Sequence, residues 1–246
     1  MLSTVENHYE EFLAARYTWM SGGHVLQVEK SRKALTEFGF GTLCGGKALD
    51  LGCGSGYQSL ALAELGYSVI AVDTSQQLLD ELRSIAAGHS IAVVRGDMLS
   101  SETYESHAPF DVVVCMGDTL VHAPSMGQIP QLFEDVYAHT RPGGKLLLSF
   151  RDLSAELKGI DRAIPVRLDE HGLMATFLEY TESHLNVHDM LFTQKDGQWQ
   201  MTKSAYQKLR LSCDKAVAML EQTGFNNVKK TVDRGFAMIV ADKPAV

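Results

Sequence analysis

The nine residues 48–56, ALDLGCGSG, constrain this chain more than any other stretch. Residues 47–51, KALDL, predict a short buried strand. Gly52, Gly54 and Gly56 then predict a tight turn, where missing side chains permit left-handed backbone angles and close approach of a ligand to the main chain. Residues 57–65 follow with Leu60, Leu62, Ala63 and Leu65 and predict a helix. A strand, a glycine loop and a helix form the first half of a Rossmann-type nucleotide site. The dinucleotide fingerprint GxGxxG would need glycine at 57, where Tyr57 stands. Asp50, just before the first glycine, would repel a pyrophosphate at the helix N-terminus and would favour a ligand with a cationic amino group.

At these residues the sequence resembles the class I S-adenosylmethionine-dependent methyltransferases, whose first motif has this D-x-G-x-G-x-G form. The resemblance implies an α/β fold with a Rossmann-like, doubly wound, seven-stranded, mostly parallel sheet, and S-adenosylmethionine as cofactor. Two other readings stand beside it: an NAD-dependent oxidoreductase, and a non-catalytic cofactor-binding or interaction protein on the same fold.

The rest of the chain continues the alternation. A β-branched run from 68 ends at Asp73, 23 residues after Asp50, where an acid at the end of the second strand accepts hydrogen bonds from ribose hydroxyls. Thr74 to Gln77 has capping-box spacing. Residues 91–95 predict a third strand, followed by Gly96-Asp97-Met98; in the resembled family an acid here meets the adenine amino group and the next amide a ring nitrogen. Residues 110–115, FDVVVC, predict a fourth strand buried on both faces. It delivers Met116-Gly117-Asp118-Thr119-Leu120-Val121-His122 to the carboxyl edge of the sheet. A helix over 128–140 stops at Pro142-Gly143-Gly144 before a fifth strand at 145–150.

Residues 151–211 break the alternation. Strand-like runs at 173–180, 184–193 and 199–206, with a hairpin signal at Asp196-Gly197, predict an antiparallel insert. Ser212 is the candidate N-cap of a last helix ended by Gly224, and 228–232 and 236–241 close the sheet. The organisation expected is one domain over 1–246: a helical cover (1–46), a cofactor-binding core (47–150), the β insert (151–211) and a C-terminal helix with strands (212–246).

The loop MGDTLVHAPS and the run Leu209-Arg210-Leu211-Ser212 are similar to segments of the glycine and sarcosine N-methyltransferases, with Asp118 in place of their usual Asn. The family resemblance implies cofactor contacts from Asp50, Gly52, Cys53, Gly54, Gly56, Asp73, Thr74, Asp97, Met98, Met116 and Tyr17. It also implies that the N-terminal helices close the pocket, which brings in Tyr9, Tyr17 and Trp19. His122 and Asp118 are the candidate substrate-facing groups, and Arg151, after the fifth strand, the candidate anchor for a substrate anion. Each has a structural alternative: a backbone-bonded histidine, a loop cap and a surface salt bridge.

A formal net charge of −8 and the absence of a dense Lys/Arg run argue against a sequence-independent grip on nucleic acid. The fourth-strand loop also lacks the N/D-P-P-Y/F segment of the base methyltransferases. The four cysteines, Cys44, Cys53, Cys115 and Cys213, form no CxxC pair. His184 and His188 share a strand face next to Asp189, but exposed hairpin residues are the commoner reading of that pattern, and no metal is expected. The acidic N-terminus does not read as a signal peptide, and no apolar run has membrane-span length. The expectation is therefore a cytoplasmic enzyme acting on a small molecule at nitrogen or oxygen, with a homodimer as the assembly to test.

Overall fold

The computed structural model describes residues 2–41 and 45–245, so Cys44 lies outside the described residues. The central sheet is built from β1 (Lys47–Leu51), β2 (Ser68–Asp73), β3 (Ile91–Arg95), β4 (Phe110–Cys115) and β5 (Thr140–Arg151), joined by two strands from the end of the chain. The insert contributes β6 (Ala163–Asp169), β7 (Gly172–Tyr180), β8 (His184–Lys195) and β9 (Gln198–Leu209); β10 (Asn226–Asp233) and β11 (Phe236–Asp242) complete the sheet. The order is β10-β11-β5-β4-β1-β2-β3. Pairings among β1 to β5 are parallel, and β11 joins β5 antiparallel. This is the doubly wound, mostly parallel seven-stranded sheet that the alternation predicts. Strand order reverses at β1 and β4, so their carboxyl ends open a crevice there.

Helices cover both faces. They are α1 (Val5–His8), α2 (Tyr17–Ser21), α3 (His24–Glu37), α4 (Tyr57–Glu64), α5 (Gln76–Ile85), α6 (Gln128–His139) and α7 (Cys213–Thr223). One core cluster joins Leu49, Val113 and Phe150 to Phe133 of α6 and Leu220 of α7; the opposite face packs Leu35 of α3 and Leu62 of α4 on Val114 and Leu147. Ser212 caps α7 by accepting from Lys215 N–H at 3.1 Å, and Gly224 ends it at φ 111°, as the sequence predicts. One local expectation is corrected. Ser75, not Thr74, is the N-cap of α5, because the Asp73 carboxylate accepts the Ser75 N–H at 2.9 Å and shifts the cap by one residue.

The insert is a four-stranded antiparallel sheet in the order β6-β7-β8-β9. Edge strand β6 carries Pro165 at a register shift, and that proline hides it from sequence reading. Asp196 and Gly197 turn the β8–β9 hairpin with φ 52° and 75°. The N-terminal segment is strapped across this insert. Ser3 N–H donates to Ala205 C=O at 2.7 Å, fully buried His8 stacks on Tyr206 at 4.1 Å, and the Trp19 indole donates to Asp169 at 2.9 Å. Gly22 and Gly23, at φ 95° and 99°, break this segment from α3.

Asp50 ties β1 to α4. Its carboxylate is 1% exposed and accepts the Ser59 hydroxyl at 2.6 Å. Burial raises its pKa to about 7, against the opposing hydrogen bond from Ser59. A carboxyl held above its unfolded value, about 4, binds its proton more tightly in the folded protein. The stability this contributes is therefore present below about pH 4 and is lost as pH rises to about 7. Asp50→Asn should gain on the wild type by roughly 3–4 kcal/mol between these limits, read by urea unfolding at each pH. A difference that does not change with pH would contradict this account of Asp50.

Candidate functional site

A cavity of about 660 Å³ lies over the carboxyl ends of β1, β2 and β4. That volume is in the range of ligand pockets, roughly 300–1,000 Å³. Its floor is the glycine loop. Gly52 has φ 69°, and a Cβ there would fall inside the Thr119 side chain; Gly56 has φ 87°, and a Cβ would fall inside Leu82. Only glycine lets this loop lie so close to its neighbours. Gly54 N–H donates to the Asp73 carboxylate at 2.8 Å. Asp73 thus receives one N–H on each oxygen, from Gly54 and Ser75, and keeps further lone pairs for hydroxyl donors. Burial raises its pKa against those two donors.

One half of the cavity is lined by Gly52, Gly54, Asp73, Thr74, Gly96, Asp97 and Met98, with Val72, Leu78 and Leu99 as apolar wall. Asp97 is exposed and accepts the Leu99 N–H at 2.9 Å. The donor set fits an adenosine group: acid oxygens at two points and apolar side chains between them, where a nucleoside offers hydroxyls, an exocyclic amine and a flat ring. The other half is roofed by the N-terminal strap, Leu2 to Glu6 with Tyr9, and walled by His122, Ala123, Pro124, His184 and Gln207. Tyr17 joins the lining and stacks on Tyr57 at 5.9 Å.

His122 closes a 3₁₀ turn, Leu120–His122. Its Nε2 lies 3.4 Å from the Tyr9 hydroxyl, and Nδ1 has no partner among the described residues. Burial, aided by the charge of Lys208, lowers its pKa to about 3, so the imidazole is neutral near pH 7. Burial likewise raises the Tyr9 phenol. The pair is uncharged, with lone pairs to offer.

Several sequence-predicted residues lie off the cavity wall, each for a local reason. Asp50 is buried against Ser59 and does not present a carboxylate to a ligand ammonium. Cys53 is packed behind the loop at 3% exposure, and Gly56 meets Leu82. Met116 belongs to the core cluster with Val114 and Leu147. Asp118 accepts Arg151 N–H at 2.8 Å and the Lys208 ammonium at 2.6 Å, so it fastens the loop, as its structural alternative has it, and is not among the cavity-lining residues. Arg151 points to solvent with its side chain 61% exposed, 3.5 Å from Asp118. Trp19 reaches Asp169, not the cavity. Asp189 faces inward to His8, whereas His188 pairs with Glu179 on the outer face.

Thr119, Leu2 to Glu6, Gln207 and Lys208 carry no sequence signal of their own. The tight loop at Gly52 requires a neighbour shaped like Thr119, but only the fold shows which residue that is.

Residues 48–144 match the family described as Methyltransferase domain. The chain is 37% identical over 110 residues to a cypemycin N-terminal methyltransferase of Streptomyces sp, covering 45% of this chain and 44% of that protein. It is 28% identical over 232 residues to the mitochondrial ubiquinone biosynthesis O-methyltransferase of Schizosaccharomyces pombe, covering 85% and 82%. The chain therefore spans less than half of the first relative and most of the second. Its fold matches an amino pentose methyltransferase from Micromonospora echinaspora, solved with S-adenosylmethionine bound, at TM-score 0.73 and 16% identity over 93% of this chain and 95% of that one. The matched residues carry the glycine loop, Asp73 and Asp97, so this part of the chain is similar to a methyltransferase domain, and the fold of the chain is that of the solved methyltransferase.

Proposed function

We propose that this protein, as one domain over 1–246, transfers a methyl group from S-adenosylmethionine to a nitrogen or oxygen of a small molecule. The observation that carries this reading is the division of one cavity into two unlike halves. The nucleoside half has Asp73 and Asp97 as hydrogen-bond acceptors, and Met98, Val72, Leu78 and Leu99 as apolar contacts. Gly52, Gly54, Thr74 and Tyr17 complete it. The acceptor half has the neutral Tyr9–His122 pair under the N-terminal strap. The activities for which two similar proteins are named, O-methylation in ubiquinone biosynthesis and methylation of an amino pentose, support a small acceptor.

Bound S-adenosylmethionine supplies a methyl group on a sulfonium, which leaves as a neutral thioether. The protein's part is to aim the acceptor atom and exclude water. Orientation of two reactants contributes about 7–11 kcal/mol, and a general base about 3–5 kcal/mol. With its pKa near 3, His122 is a weak base and serves best as a hydrogen-bond acceptor that turns an acceptor lone pair toward the methyl carbon. Tyr9, carried by the strap, orients from the other side. The free thiols of Cys53, Cys115 and Cys213 fit a reducing compartment, which supports the cytoplasm as location. Among the described residues no helix is long and apolar enough to cross a membrane.

Calorimetric titration tests the cofactor. S-adenosylmethionine and S-adenosylhomocysteine should both bind, and Asp73→Ala should weaken both by about 10- to 100-fold, as expected for lost charged hydrogen bonds. No binding of either by folded protein would overturn the reading. A homodimer is proposed as the assembly, supported by an apolar outer face of the insert on which Leu168, Trp199 and Met201 are 73%, 60% and 52% exposed. Sedimentation velocity should give twice the chain mass at micromolar concentration, and Met201→Glu should shift it toward monomer; a monomeric wild type would refute the dimer.

A further inference from the structure

The insert sends one charged side chain into the interior next to the acceptor end of the cavity. Lys208, on β9, is 9% exposed, and its ammonium meets Asp118 at 2.6 Å. Asp118 stands on the loop that also carries Thr119 and His122, and its other oxygen accepts Arg151 N–H at the end of β5. One carboxylate thus fastens three parts: the loop after β4, the central sheet and the insert. Thr119 fixes the same loop from the other side, donating to Met116 C=O at 3.1 Å against Gly52. His122 ends this doubly fastened loop.

Stability alone does not explain a buried lysine here. A buried ion pair is often no better than apolar side chains of the same volume, because desolvation offsets the attraction. Burial opposes the charge on both partners, yet their mutual attraction holds Asp118 down at about 2 and Lys208 above its ordinary value. Both stay ionised within the fold. The groups facing His122 are Tyr9 from the strap, Tyr206 and Lys208 from β9, and Asp118 from its own loop, with His8 stacked behind Tyr206. Tyr206 lies 5.6 Å from the His122 ring and 5.8 Å from the Lys208 ammonium, so the aromatic ring spaces the cation from the imidazole.

We propose that Lys208 is a positioning residue for the acceptor end of the cavity: through Asp118 it fixes the loop that carries His122, and its charge adds to burial in disfavouring a proton on the His122 imidazole. This rests on the reading of His122 as the acceptor-facing group. A protonated imidazole would have only donors and would tie up an acceptor lone pair in a hydrogen bond; a neutral one can accept the acceptor's N–H or O–H. Lys208 belongs to the insert, so the insert takes part in the reaction site and is not only a cover.

The test is a pH titration of the His122 ring by NMR on histidine-labelled protein, its signal assigned with His122→Gln. In the wild type the ring should stay neutral down to pH 4. Lys208→Gln keeps a hydrogen-bond donor on Asp118 but removes the charge, and should raise the His122 midpoint by at least one pH unit, a tenfold change in proton affinity. Asp118→Asn should not raise it, because there the cation remains and the anion is gone. Lys208→Arg should restore wild-type behaviour. An unchanged midpoint in folded Lys208→Gln would overturn the proposal. So would an equal rise in Lys208→Gln and Asp118→Asn, which would mean loosened packing. Should Lys208→Gln not fold, the amide-paired Lys208→Gln/Asp118→Asn variant is used: a smaller rise supports the proposal and no rise overturns it. Calorimetry with S-adenosylhomocysteine on the same proteins should show unchanged affinity. Failure of the wild type to bind it would sink the methyltransferase reading, while the ring titration judges Lys208 separately.

Discussion

The close packing of the glycine loop is the constraint on which the site depends. Gly52 leaves room for Thr119, Gly56 leaves room for Leu82, and the N–H of Gly54 is held by Asp73. These three contacts join β1 to the loop after β4, to α5 and to the end of β2. Any side chain at 52 or 56 would part them, besides forcing a residue with a Cβ into a left-handed conformation. Because Asp73 takes both Gly54 and Ser75, the acid that lines the cavity is also the acid that shapes it. Binding and folding use the same atoms here.

Around this floor the electrostatics separate. Acids line the nucleoside half, Asp73 half-buried and Asp97 exposed, and both offer carboxyl oxygens as hydrogen-bond acceptors. The acceptor half is neutral by burial, at Tyr9 and at His122. Behind it, Asp118 and Lys208 form a buried ion pair. The strap over the cavity is held by polar contacts to the insert at Ser3, His8 and Trp19. Its π-helical turn, Tyr9–Leu13, lies at the residue that meets His122. Irregular turns of this kind are frequent at functional sites.

The central sheet was legible in the sequence because a buried parallel strand reads as an unbroken apolar run, as residues 110–115 do; residues 91–95, the half-exposed edge strand β3, were bounded by their β-branched residues. Acids at strand ends were legible as well, since Asp73 and Asp97 both reach the cavity. Position along the chain does not reveal side-chain direction, and there the reading failed. Asp50 and Asp118 look as exposed in sequence as Asp73 does, yet Ser59 draws one inward and Lys208 the other, from partners 9 and 90 residues away. Arg151 ends a strand at the right edge but points to solvent. β6 was hidden by Pro165, and the strap's hold on the insert by the absence of any local sign that the two meet; that the N-terminal segment covers the cavity was implied by the family resemblance alone.

The most direct test of the central claim is a crystal structure of the protein grown with S-adenosylhomocysteine. The account predicts the ribose hydroxyls on the Asp73 carboxylate, the adenine beside Asp97 and Met98, and the thioether sulfur turned toward the Tyr9–His122 pair. A nucleoside bound elsewhere, or one with its sulfur directed away from that pair, would contradict the division of the cavity from which the function is argued.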